Sequence, residues 1–242
     1  RDIECFPIVK SILTKITGDE GIYNSPTDMG VNMAGYGIVD DEVCRAAARQ
    51  EIIRRYYKAA CDYKTGNTTA DALERIKLLI NENKIALDER KVVAPALEKA
   101  ESSGSAAVAI ELENGGFVTG KSNKLMTACA SAVINAVKAL SKISDDMLLL
   151  SPVVLAPIIQ LKKDVLREDK VKLDLNDVLT ALSICAATNP IAEKAMNMLV
   201  RLNGCEGHGS CILPEKDLSV MRKLGVHLTC EPEFGSKDLY GF

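Results

Sequence analysis

The sequence predicts an α/β protein of the α+β kind, with a helical subdomain ahead of a domain where helices and strands mix. Three observations carry that expectation. Residues 1–86 place apolar residues at helical spacing and show no strand pattern. Residues 106–119 read AAVAIELENGGFVT, two apolar and β-branched runs around the turn residues Asn114-Gly115-Gly116, which is the signature of a β-hairpin. Leu125, Ala128, Cys129, Ala132, Val133, Ala136, Val137 and Leu140 then recur at helical spacing, so the hairpin runs into a buried helix. The boundary falls near Ala86, giving a helical subdomain over 1–86 and an α/β domain over 87–242.

Taken in order, residues 3–17 carry Phe6, Val9, Ile12, Leu13 and Ile16 on one helical stripe. Residues 18–37 form a long loop containing Asp28 and Asn32, and loops of that length are often functional. Asp40-Asp41-Glu42 places acids where they favour a helix start, and the helix runs to about Tyr63, stopping near Gly66. Another runs from Thr69 to about Asn83 with Leu73, Ile76, Leu79 and Ile80 as its apolar face. Residues 87–100 read as a helix interrupted or kinked at Pro95, closed by Ser102-Ser103-Gly104. Beyond the hairpin and its helix, 147–150 reads as a short buried strand, and Pro152 suits the first turn of the helix after it. Helices over 174–187 and 190–202, a strand over 209–213, a helix over 214–224 and a strand over 226–230 complete the chain.

Composition narrows the function. Thirty basic residues against 33 acidic ones give a net charge of −3, so nothing points to nucleic acid or to an anionic membrane surface. The longest apolar stretch, 147–159, is broken by Ser151, Pro152 and Pro157 and falls short of a bilayer span. Eight cysteines lie scattered in apolar patterns without disulfide-framework spacing, the usage of buried thiols in a reducing cytoplasm. With Arg1 first and no initiator Met, the chain is expected to be a piece of a longer protein.

Residues 115–122 formally match a phosphate loop, a glycine, four residues, then Gly120-Lys121-Ser122. Such a loop needs a helix opening at the lysine, whereas Phe117-Val118-Thr119 favours a strand, and the hairpin is preferred. Lys121 and Ser122 remain candidates for holding an anion. His208 sits in Gly204-Cys205-Glu206-Gly207-His208-Gly209-Ser210-Cys211, where the glycines allow a ligand close to the backbone. A metal site of Cys205, His208 and Cys211 lacks a fourth ligand and conflicts with strand alternation, so no metal is expected. Thr188-Asn189-Pro190 reads as a helix stop followed by an N-cap, with Asn189 kept as a possible anion contact. Arg49, Arg54 and Arg55 read as a solvated face paired with Glu51, with anion binding as the alternative.

From 87 onward, the order helix, hairpin, helix, strand, helix, strand, helix, strand resembles the cytidine-deaminase fold, less an extra helix or two over 174–202. That resemblance implies a three-layer αβα domain with a mixed sheet. The family's first zinc motif falls at Cys129-Ala130-Ser131, where Ser replaces the catalytic Glu. Its second falls at Pro152-Val153-Val154-Leu155-Ala156, where both cysteine ligands are missing. The scaffold is therefore expected without its zinc.

The segments NSPTDMGVNMAGYGIVDDEV, RQEIIRRYYKAACDY, LSICAATNP and LGVHLTCEP closely resemble the bacterial family known as domain of unknown function 1846, or uncharacterised protein family 0371. The resemblance implies that this chain is the C-terminal half of a cytoplasmic protein. It also implies that a glycine-rich, phosphate-loop-like segment lies in the other half, so that a nucleotide is bound there and no cofactor in this chain. The expected function is then a share in a nucleotide-dependent enzyme, with this chain supplying part of a substrate pocket and a homo-oligomer interface beside its own N-terminal half. In that pocket Asp28 and Asn32 position substrate hydroxyls, Lys121 and Ser122 hold an anion with Asn189 nearby, and His208, with an ordinary pKa of about 6.5, transfers protons. The rival expectation is a non-catalytic binding or assembly scaffold.

Overall fold

The structure, a computed structural model, describes residues 2–19, 21, 41–168 and 171–235. The loop candidates Asp28 and Asn32 lie outside the described residues. The chain divides into two compact units, Arg1–Arg90 and Lys91–Phe242.

The first unit contains α1 (Asp2–Thr17), α2 (Asp41–Lys64), α3 (Ala70–Glu82) and a 3₁₀ turn at Leu87–Glu89. The apolar stripe of α3 packs on α2, where Ala59, Ala60 and Leu73 are buried together with Tyr56 and Ile76 against them. Arg49 fastens the end of α3, donating from Nε to Glu89 at 2.8 Å and from Nη1 to the Asn83 carbonyl at 3.0 Å. Arg54 and Arg55 each donate from Nε to Glu51 at 3.0 Å, so their charges are met within the helix. Half-exposed pairs of this kind contribute roughly 0.2 to 1 kcal/mol each.

The second unit opens with α4 (Val93–Ser103). Pro95 sits in its first turn, where no intrahelical donor is needed, so the proline neither interrupts nor kinks it. The expected single helix over 87–100 is instead the separate 3₁₀ turn followed by α4. The hairpin forms as β1 (Ala107–Glu111) and β2 (Phe117–Lys121). It is followed by α5 (Ala128–Ser141), α6 (Pro152–Gln160) with a π turn at Leu161–Val165, and α7 (Leu175–Ala186). Next come α8 (Pro190–Asn197) with a 3₁₀ turn at Leu199–Leu202, β3 (Glu206–Gly209), α9 (Glu215–Lys223) and β4 (His227–Cys230). Among the described residues this is a mixed α/β protein of nine α-helices and one four-stranded sheet.

The sheet order is β2-β1-β3-β4, with β1 antiparallel to both neighbours and β3 parallel to β4. Register sorts the faces. Ala109, Thr119, His208 and Thr229 share one face, and Ala109 packs there with Val92 and Ala96 beneath α4. Val108, Gly120, Gly209 and Cys230 share the other face, toward α5. Helices on both faces explain why Ala107 to Ile110 are fully buried and read as a continuous apolar run. Gly120 is a true close approach: a Cβ there would stand 2.1 Å from the backbone nitrogen of Ala132. Thr127 caps α5, its side chain accepting from the Ala130 amide.

Two strand expectations are corrected. No strand forms over 147–150, because Leu149 and Leu150 are buried while Leu148 is 75% exposed, and no strand among the described residues pairs with it. Burial alone made that run look like a strand. The strand placed at 209–213 lies at Glu206–Gly209, since this is the stretch that finds ladder partners on both sides.

Candidate functional site

The carboxyl ends of β2, β3 and β4 lie together with the start of β1, as the register requires, and this end of a sheet is where ligands of open α/β folds bind. A cavity of about 590 Å³ opens there. Gly104 to Ala106 line it from before β1, Ser122 to Lys124 from after β2, and Cys211 to Pro214 from after β3. Thr127 and Ala128 bring in the N-terminus of α5, and Asp217 comes from the first turn of α9.

Lys172 reaches the cavity through a backbone seam. The Leu173 amide donates to the Leu125 carbonyl at 2.9 Å, and the Thr127 amide donates back to the Leu173 carbonyl at 3.0 Å. That seam holds Lys172 beside Ser122, and its ammonium donates to the Ser122 hydroxyl at 2.8 Å. Lys124 and Lys172 are exposed at the rim. At the helix end, the first amides of α5 have no carbonyl of their own helix to bind and carry the positive end of its dipole. Lysines plus a helix N-terminus favour an anionic group.

Asp217 has the opposite character. Its side chain is 1% exposed. Oδ1 accepts from the Leu175 amide at 2.8 Å, tying α9 to the start of α7, whereas no hydrogen bond of good geometry reaches the buried Oδ2. Burial pushes the Asp217 carboxyl above the usual carboxylate range, and the Asp174 and Asp177 charges add to that. The Leu175 amide and the Thr127 hydroxyl work against it without reversing it. Asp174 and Asp177 are themselves bound to Lys162, which is 2.8 Å from Asp177 and buried beneath the turn.

The residues singled out from sequence are dispersed. Ser122 lines the cavity, and Lys121 ends β2 beside it, exposed and outside the lining. The Asn189 side chain accepts from the Ile191 amide at 2.9 Å as the N-cap of α8, away from the cavity lining. His208 is fully buried on the α4 face of the sheet. Its Nδ1 lies 2.8 Å from Thr229 Oγ1, and that hydroxyl is also 3.3 Å from the Gly207 carbonyl. Nε2 meets Glu231 at 3.2 Å, which fastens β3 to the end of β4. Sequence reasoning missed Lys172 and Asp217. Both carried a signal only in part, a lysine and an acid in segments whose approach depends on the tertiary seam.

Cys211 lines the cavity, and Cys129 lies within electrostatic reach of Asp217. Cys129 and Cys211 are buried and free, and burial pushes both above the ordinary thiol range, Cys129 well above it. A metal needs thiolates, and no group of three or more His, Cys, Asp or Glu side chains among the described residues is arranged to hold an ion. No helix among the described residues is long and apolar enough to cross a membrane.

Comparison with known proteins agrees with the division into two parts. Residues 1–84 match the family model described as domain of unknown function DUF1846, N-terminal, and residues 88–240 match domain of unknown function DUF1846, C-terminal. A UPF0371 protein of Clostridioides difficile (strain 630) is 49% identical over 248 residues, covering 99% of this chain and 50% of that protein. UPF0371 proteins of Clostridium botulinum, strains Alaska E43 and Okra, are 49% and 48% identical and are each covered to 49% of their length. The chain thus spans about half the length of the curated relatives it matches.

Proposed function

The chain belongs to the DUF1846 family, and from that premise we propose that it supplies the substrate pocket of a larger nucleotide-dependent enzyme, binding a small anionic metabolite at the carboxyl edge of its sheet. The observation that carries this reading is the cavity of about 590 Å³ whose rim holds Lys124 and Lys172 and whose wall holds the N-terminus of α5. Cavities of this size suit a metabolite rather than a macromolecule. The nucleotide belongs, in this reading, to the half of the relatives' length that the chain does not span, with the chain as the C-terminal half. The match of 88–240 to the C-terminal family model supports that placement.

We read the framework as deaminase-like with its zinc chemistry lost. The order β2-β1-β3-β4 with β1 antiparallel to its neighbours supports this. Cys129 is a buried thiol held protonated, and Pro152-Val153-Val154-Leu155-Ala156 offers no thiolate where a pair would be needed. Exposed Val153, Leu161 and Val165 along α6 and its π turn support an oligomer interface. Buried free thiols support a cytoplasmic setting.

The test is a thermal-unfolding screen of this chain and of the full-length protein with nucleotides and phosphosugars, since a ligand that binds only the native state raises its stability by RT ln(1 + [L]/Kd). The expected result is a rise in Tm of this chain with phosphosugars, lost in Lys124→Ala/Lys172→Ala. A rise confined to the full-length protein, whichever ligand gives it, counts against a pocket in this chain.

A further inference from the structure

We propose that the floor of the cavity is a proton-coupled oxyanion subsite, in which one oxygen of a phosphomonoester, sulfate or carboxylate is held between the first amides of α5 and the Oδ2 hydroxyl of a protonated Asp217. The inference rests on the anion-pocket reading above and adds to it the atom that binds and the proton that moves.

The geometry supplies both halves. The Thr127–Ala128 end of a 14-residue helix opens into the cavity, and amides at that end have no intrahelical acceptor. Asp217 borders the same cavity, is 1% exposed, and has one oxygen anchored on Leu175 while the other is buried with no hydrogen bond of good geometry, the Thr127 hydroxyl lying beside the carboxyl. An ionised Oδ2 would oppose an incoming oxyanion. A protonated one has a hydrogen to give it, and the bond formed is of the strong, charge-assisted kind. Binding therefore takes one proton from solvent, which ends on Oδ2 between carboxyl and ligand.

The surroundings set the direction. From α7, Asp174 and Asp177 face Asp217 and favour its neutral form, and Lys162 partly offsets them. From α5 comes the Cys129 thiol, with Cys211 and Cys230 of β4 close to it. Lys124 and Lys172 remain at the rim. Nothing else charged lines the floor among the described residues, and an arriving anion strengthens the preference for the neutral carboxyl.

Sulfate is the probe, because its charge stays fixed across the range where a carboxyl titrates. Calorimetric titration of the intact chain with sulfate, in two buffers of different ionisation enthalpy, measures protons taken up per ion bound. The expectation is uptake approaching one proton where Asp217 is ionised in the free protein, with affinity falling about tenfold per pH unit there. Asp217→Asn, whose amide donates in place of the acid, is expected to bind with no proton uptake and no such pH dependence, its folding checked by circular dichroism. Sulfate binding by the wild type with no proton uptake at any pH overturns the subsite while leaving the anion pocket standing. Absence of sulfate binding at every pH overturns both. The wild-type measurement decides the matter even if the variant fails to fold.

Discussion

At the scale of single residues, a carboxyl that is 1% exposed with one oxygen unsatisfied is costly to keep ionised. Because the folded state raises the Asp217 pKa, its contribution to stability is present below the ordinary carboxylate range and is lost as pH rises through the folded value. Asp217→Asn removes the buried charge and keeps an oxygen for the Leu175 amide. It is expected to be more stable than the wild type at neutral pH by about 1 kcal/mol, with the gap closing on acidification. Urea unfolding of both proteins across pH measures this, and a gap that widens in acid contradicts the assignment. The residue was hard to find in the sequence. An acid in the first turn of a helix after Pro214 reads as an exposed partner of the helix dipole, and only the packing of α7 on α9 buries it. His208, by contrast, was conspicuous in the sequence because of its glycines. Those glycines serve the sheet: a Cβ at Gly209 would stand 2.6 Å from Leu213 Cδ1.

At the scale of elements, the hairpin and the helix after it were legible because their periods, 2 and 3.6, are carried by many residues at once. Helix caps were legible too, as Pro152 and Asn189 show. β3 was blurred because Glu206-Gly207-His208-Gly209 has little strand propensity and becomes a strand only between β1 and β4. The run at 147–150 misled for the converse reason, having apolar content without a strand to pair with. The contact that fixes the cavity wall is β2 on α5. Gly120→Ala drives a Cβ into the Ala132 backbone, which cannot rotate aside, so a loss of about 3 kcal/mol is expected, read as a lower urea midpoint at unchanged m. A loss below about 0.5 kcal/mol, the size of an ordinary surface change, would mean that the approach is not close. Thr127→Ala should cost about 1 kcal/mol through the lost cap, read as a lower urea midpoint.

At the scale of the whole molecule, the contacts divide the chain into two compact units at Arg90. Residues 91–242 expressed alone are expected to unfold in one cooperative urea transition, and a non-cooperative melt would show that the α/β unit needs the helical one. The cavity was not legible, since Ser122, Lys172 and Asp217 meet only through the seam of 125–127 with 171–173 and the bond from Leu175. The most direct test of the pocket is a titration of the ¹⁵N-labelled chain with glycerol 3-phosphate, followed by amide chemical shifts. Saturable shifts centred on Ser122 to Cys129 and on Lys172 are the predicted result. Shifts scattered over the surface, centred elsewhere such as His208 and Glu231, or absent altogether would contradict it.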